Sequence, residues 1–219
     1  MIQQAAGKSD RQRIAVAHFK GSAGTMSGKH PVSIILASAS PRRRELLAEA
    51  GYEFAVIPSG IDESAFSPRP ARPAEHAARL ALAKARDVAG RFCESIVIGA
   101  DTVVDFEGRV VGKPADAADA EAITRKLFSA AHKVITGVAI VRLSDCTELV
   151  EWETTIVYPK KLTPEQIVEH IKGGSWRGKA GAYAIKGSDD EFIERIDGSL
   201  SNVMGLPLEL LQRMLDSLE

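Results

Sequence analysis

Val32-Ser33-Ile34-Ile35-Leu36-Ala37 and the six residues after it, Ser38-Ala39-Ser40-Pro41-Arg42-Arg43, decide how this chain is read. The first six are a short apolar, β-branched run, the pattern of a buried strand. Ser40 then offers a side-chain oxygen to a helix start. Pro41 suits the first helical position, where its missing N–H is no loss. The free N–H groups of such a helix start form an anion site. Arg42 and Arg43 fall in the first turn, at the positive end of the macrodipole, where a cation is disfavoured by about 0.3–1 kcal/mol. A bound anion would reverse that sign, and the forked donors of arginine suit phosphate oxygens. Solvated arginines on a capped surface helix fit these residues equally well.

Working outward, the helix from Pro41 to Ala50 ends at Gly51, the expected C′ position. A strand is predicted over Glu53 to Pro58, and Pro68, Pro70 and Pro73 mark a loop. The helix from Ala74 to Ala89 closes at Gly90 and places Ala77, Leu80, Ala81, Lys84, Ala85 and Val88 on one face. Lys84 interrupts that apolar stripe, so it either snorkels to water or meets an anion. Ser95 to Phe106 opens as the apolar run Ile96-Val97-Ile98 and carries Asp101, read as the acid that ends a buried strand. Ligands of open α/β sheets gather at the carboxyl ends of strands. A carboxylate there can hold Mg²⁺ or position a water. Asp62-Glu63, after the Gly60 turn, and Lys113, in Gly112-Lys113-Pro114, could join it; each is also at home on a solvated loop.

Further on, Asp116 to Phe128 reads as a helix. Val134 to Leu143 and Glu148 to Tyr158 read as a hairpin around Ser144-Asp145. Thr163-Pro164-Glu165 starts another helix, a Gly-rich segment runs from Gly173 to Gly187, and the last helix begins near Pro207. Early alternation of strands and helices, with antiparallel pairing later, predicts an α/β fold: a mixed twisted sheet flanked by helices.

At 219 residues the chain makes one large domain or two small lobes sharing a cleft. Residues 1–31 read as a disordered extension, or as sequence upstream of a start at Met26, and residues 32–219 as the single folded domain. A net charge of -1 provides no global field for nucleic acid or acidic membranes, so any polyanion site must be a local cluster. Few aromatics argue further against nucleic-acid binding. No run approaches the roughly 20 apolar residues that span a bilayer. Cys93 and Cys146 make neither a disulfide framework nor a zinc site, which points to the cytoplasm. There is no Walker loop, no G-x-G-x-x-G and no H-E-x-x-H. His18, His30, His76, His132 and His170 show no metal spacing and receive no role. Ser199 and Ser201 lack a G-x-S-x-G setting, which argues against a serine hydrolase.

An ordered set of short motifs then stands out over roughly residues 32 to 215. They are Leu36-Ala37-Ser38-Ala39-Ser40-Pro41-Arg42-Arg43, Asp62-Glu63, Ala83-Lys84-Ala85, Gly99-Ala100-Asp101-Thr102-Val103-Val104 and Gly112-Lys113-Pro114. Gly178-Lys179-Ala180-Gly181-Ala182-Tyr183, Gly198-Ser199-Leu200-Ser201-Asn202-Val203 and Gly205-Leu206-Pro207 complete it. In this set and order the chain resembles the Maf family of nucleotide pyrophosphatases, linked in some bacteria to septum formation. The resemblance implies two lobes around a deep cleft, often in a homodimer. It implies cleavage of a nucleoside triphosphate into the monophosphate and pyrophosphate with Mg²⁺ or Mn²⁺, in a house-cleaning or division-linked role. By the same resemblance Asp101 is the proton acceptor. Ser38, Ser40, Arg42, Arg43, Lys84 and Lys113 line the phosphate site, and Glu63 and Asp101 hold the metal. Arg42 and Thr102 match the branch that takes dTTP and UTP. The chain departs from the family at Lys186, where glutamine is usual; lysine offers a base only donors. A non-catalytic nucleotide-binding regulator of division is the alternative.

Overall fold

In the computed structural model the described residues are 33–66, 72–183, 185 and 192–218. The extension read over residues 1–31 and the Lys186 position lie outside them. The elements run β1 (Ile34–Leu36), α1 (Pro41–Glu49), β2 (Phe54–Val56), a 3-10 turn (Glu63–Ala65), α2 (Pro73–Ala89), β3 (Ile96–Phe106) and β4 (Arg109–Val111). They continue with α3 (Ala117–Leu127), β5 (His132–Arg142), β6 (Thr147–Pro159), α4 (Pro164–Gly173), β7 (Ile193–Asp197), α5 (Leu200–Met204) and α6 (Leu208–Asp216).

The strands form one seven-stranded sheet in the order β2-β1-β3-β5-β6-β7, with β4 against β3. β1 runs parallel to β2 and β3, and every other pairing is antiparallel, so the sheet is mixed as expected. The hairpin is present: β5 and β6 pair from His132↔Val157 to Arg142↔Thr147, joined by a turn over Leu143–Asp145. Strands β4 and β7 and the short helix α5 went unrecognised, because each is three to five residues long and too short to show a period.

Strand β3 organises the site. Its one edge pairs with β5 from Val97 to Asp105. Its other edge meets β1 only at Ile96–Ile98, and β4 only at Val104–Phe106. The stretch between, Gly99 to Val103, therefore has no strand beside it on that edge among the described residues. Asp101 does not end its strand, as read from sequence. It sits at the centre of the 11 residues of β3, just past the point where the parallel neighbour β1 stops. A carboxyl-end crevice arises here because a neighbouring strand is short, and not because β3 terminates.

Helix α2 lies across one face of the sheet, with Ala77, Ala78, Ala81 and Ala85 buried against it. Its approach is close because Gly99 and Gly137 face it. A Cβ on Gly99 would stand 2.1 Å from the Ala81 carbonyl oxygen. A Cβ on Gly137 would stand 2.5 Å from Ala77 and Ala78 backbone atoms. On the opposite face α6 packs Leu210, Leu211 and Met214 onto Leu36, Ile98 and Ile140.

His132, at the start of β5, is buried, and its Nε2 lies 2.6 Å from the Tyr183 hydroxyl. Burial pushes its pKa below the ordinary imidazole value, an effect only partly countered by the backbone at Ala130 and Leu127. The unfolded chain then binds this proton more readily. The stabilisation is complete above the unfolded value of about 6.5 and is lost as pH falls below it. We expect Tm to fall between pH 7 and pH 5, and the fall to be smaller in His132→Gln. Equal slopes in the two proteins would remove His132 as a source.

Candidate active site

Apart from Asp62, each sequence-predicted site residue within the described region lines one cleft of about 690 Å³, a size suited to a small organic ligand. Ser38, immediately after β1, is buried; its Oγ accepts from the Ser40 N–H at 3.2 Å and from Arg43 Nη1 at 3.2 Å. Ser40 caps α1, its Oγ 3.5 Å from the Arg43 backbone N–H, and Pro41 occupies the first helical position. Helix and cap thus follow the reading of the opening stretch.

The two arginines part company. Arg42 is half-buried and its Nη1 donates to the Ile185 carbonyl across the cleft. Arg43 turns inward and is held by the protein itself. Its Nε donates to Gly205 O at 2.8 Å, Nη1 to Ala100 O at 2.9 Å, and Nη2 to Thr102 Oγ1 at 3.0 Å. It occupies the gap in the β3 edge, bonding the strand carbonyl that lacks a neighbour. Burial pushes its pKa down, opposed by the charges of Asp101 and Glu63. A guanidinium stays protonated under such opposition.

Lys84 does not snorkel to water. It is 7% exposed, and its Nζ lies 2.8 Å from Asp101 Oδ1 and 2.7 Å from Glu63 Oε1. A residue that breaks an apolar stripe is thus explained by two carboxylates meeting it. Asp101 is itself buried on β3. Glu63 stands on the 3-10 turn that Asp62 caps by accepting from the Ser64 N–H at 2.9 Å. Asp62 accordingly serves the turn, and Glu63 reaches the site. Burial pushes the Glu63 pKa up, but the hydrogen bond and charge of Lys84, with Lys113 and Arg43, outweigh it. Its carboxyl is held below the ordinary value. Lys113 is exposed at the cleft wall, on a loop tied down by the Gly181 N–H bonding Gly112 O at 3.2 Å.

Strand alternation splits the cleft floor. Asp101 faces α2, whereas Thr102 and Val104 face the other way, toward Val134, Ile185 and Val203. One end is therefore charged and the other apolar. Arg177 and Lys179 also line the cleft. Sequence reasoning gave them no role; the only signal was the Gly178-Lys179 pair in a motif left without an assignment. In all, Arg42, Arg43, Lys84, Lys113, Arg177 and Lys179 face three acids, Glu45, Glu63 and Asp101. The cleft is net cationic in a chain of net charge -1, which makes it a place for a polyanion.

The chain compares closely with known proteins. The dTTP/UTP pyrophosphatase of Ruminiclostridium cellulolyticum is 42% identical over 186 residues, 85% of this chain and 96% of that protein. That of Geotalea uraniireducens is 46% identical over 186 residues, 83% of this chain and 95% of that protein. A likeness to the solved structure of a HAM1 protein from Coxiella burnetii is weak, with TM-score 0.38 and 19% identity over 60% of this chain and 74% of that one. The family profile described as Maf-like protein matches residues 33–218, a span that contains every described residue. The chain belongs to the Maf-like protein family.

Proposed function

We propose that the protein hydrolyses nucleoside triphosphates to the monophosphate and pyrophosphate, with dTTP and UTP preferred. The observation that carries this is the ammonium of Lys84 held between Asp101 and Glu63, beside the N-terminus of α1, in a net cationic cleft. The names of the relatives above support the base preference.

The triphosphate lies along the first turn of α1, where N–H groups and Arg42 meet its oxygens and Lys84 and Lys113 balance its charge. Asp101 takes a proton from a water molecule, and the water oxygen bonds the α-phosphorus. The bond from that phosphorus to the bridging oxygen breaks, and pyrophosphate carries the electron pair away. Lys84 holds the Asp101 carboxylate in place throughout. The donor set fits a hard divalent cation, Mg²⁺ or Mn²⁺. Glu63 and Asp101 are neighbours through their shared contact with Lys84 Nζ, and their remaining oxygens would hold the ion, since one or two carboxylates completed by substrate phosphates is the usual mode. No cluster of three or more His, Cys, Asp or Glu occurs among the described residues, so such an ion would share its ligands with the substrate. When bound it would neutralise charge on the phosphate oxygens.

A cytoplasmic setting belongs to the same proposal, supported by Cys93 and Cys146 as exposed free thiols. No described helix is long and apolar enough to cross a membrane. A homodimer is likewise proposed, on the family resemblance alone.

Pyrophosphate release from a panel of nucleoside triphosphates tests the activity. The expected result is release with Mg²⁺ or Mn²⁺, fastest for dTTP and UTP, abolished by a chelator. Tight binding with no release would replace the enzyme with a non-catalytic nucleotide-binding module.

A further inference from the structure

A chain of buried hydroxyls leads away from the apolar end of the cleft, and its direction can be worked out. Thr136 is fully buried on β5, directly opposite Thr102 on β3. Its hydroxyl donates to the Asn202 backbone carbonyl at 3.1 Å. A threonine has one hydroxyl hydrogen, so Thr136 has none left for Thr102. The 2.9 Å contact between the two hydroxyls therefore runs from Thr102 to Thr136. The other nearby acceptor for the Thr102 hydrogen, Gly205 O at 3.5 Å, is also protein. On the remaining side, Arg43 Nη2 donates into one Thr102 lone pair at 3.0 Å. What Thr102 can present to the cleft is the second lone pair, an acceptor.

The anchor of this chain is rigid. Asn202 is fully buried in α5, and its Nδ2 donates to Val134 O at 3.0 Å and to Thr155 Oγ1 at 2.9 Å. Thr155 in turn donates to Ser199 O at 3.2 Å, and Ser199 caps α5. The motif Ser199-Leu200-Ser201-Asn202, which had no role in the catalytic proposal, thereby ties β5, β6 and α5 to one orientation of Thr102.

We propose that Thr136 and the Asn202 carbonyl lock the Thr102 hydroxyl as an acceptor toward the cleft, selecting bases with a ring N–H, such as uracil and thymine, over cytosine, whose matching nitrogen is itself an acceptor. The inference rests on the reading above for its nucleotide, though not on turnover. Thr136 is a positioning residue: it acts through Thr102 and touches no substrate. A donor-to-acceptor match is available only to the imide base, and cytosine would set two lone pairs against each other.

The test is the ratio of dissociation constants for CTP and UTP, measured with a chelator present so that no turnover intervenes. Wild-type protein is expected to prefer UTP. In Thr136→Val the Thr102 hydrogen keeps only the long contact to Gly205 O at 3.5 Å and can turn to the cleft, and the preference is expected to shrink by about fivefold. Thr136→Ser keeps the hydroxyl and should keep the preference. A purely structural role would weaken both nucleotides together and leave the ratio unchanged; an unchanged ratio in folded Thr136→Val overturns the inference. Wild-type protein with 3-methyl-UTP gives a readout that needs no variant to fold. Binding at least about fivefold weaker than UTP supports the inference, and equal binding overturns it. Lack of pyrophosphate release with Mg²⁺ would remove the proposed activity while leaving this ratio intact as its own test.

Discussion

Asp101→Asn is expected to keep the fold and nucleotide affinity near those of the wild type while turnover drops by about three orders of magnitude, within the range a positioned general base contributes. Asparagine has nearly the shape of aspartate, and its carbonyl oxygen can still accept from Lys84 Nζ where Oδ1 now sits at 2.8 Å. Lys84 also keeps Glu63 at 2.7 Å, so the buried ammonium is not orphaned. What the amide cannot do is take a proton from water at neutral pH. The measurement is single-turnover pyrophosphate release with saturating dTTP, beside a thermal melt and a nucleotide titration. Turnover near that of the wild type would strip Asp101 of the proton-accepting role. Lost turnover with lost folding would show that the ion pair serves stability first.

Gly99→Ala is expected to destabilise the protein by about 3 kcal/mol or more, the upper range of overpacking a filled interior. The new methyl would stand 2.1 Å from the Ala81 oxygen and 2.8 Å from the Ala85 nitrogen, both backbone atoms that no rotamer change can move. Helix α2 must lift from the sheet, and Lys84, one residue before Ala85, would leave Asp101 with it. Activity should therefore fall in whatever fraction remains folded. Chemical denaturation compared with Gly112→Ala provides the contrast, since a Cβ at Gly112 meets nothing within 4 Å. Equal stability of the two variants would contradict the close seating of α2.

Much of this was legible because it is local. Ser40 and Pro41 mark the start of α1 by chemistry that needs no partner, and Thr163 with Pro164 does the same for α4, where Gln166 completes a capping box. Gly51 takes φ 83°, the left-handed value that its place after α1 predicts. Lys84 was visible as an anomaly, a charge on a buried stripe, though spacing alone did not say which acids it meets. The position of Asp101 was misjudged because strand ends are defined by neighbours, and the shortness of β1 beside the length of β3 is a tertiary fact. Arg42 and Arg43 look equivalent in sequence. Helical rotation of about 100° between them sends one to the cleft wall and the other beneath it. Thr136 carries no local mark at all, and Asn202 only its place in a motif, because their meaning lies in a contact across 66 residues.

The gap in the β3 edge has a consequence for association as well as chemistry. A bare stretch of strand is a template onto which a foreign chain can zip, and proteins commonly blunt such stretches with charge. Here the Arg43 guanidinium is the stopper: it occupies the Ala100 carbonyl that an invading strand would need. One side chain thus covers the bare carbonyl on the cleft floor, so altering it is expected to lower solubility alongside any effect on the proposed catalysis.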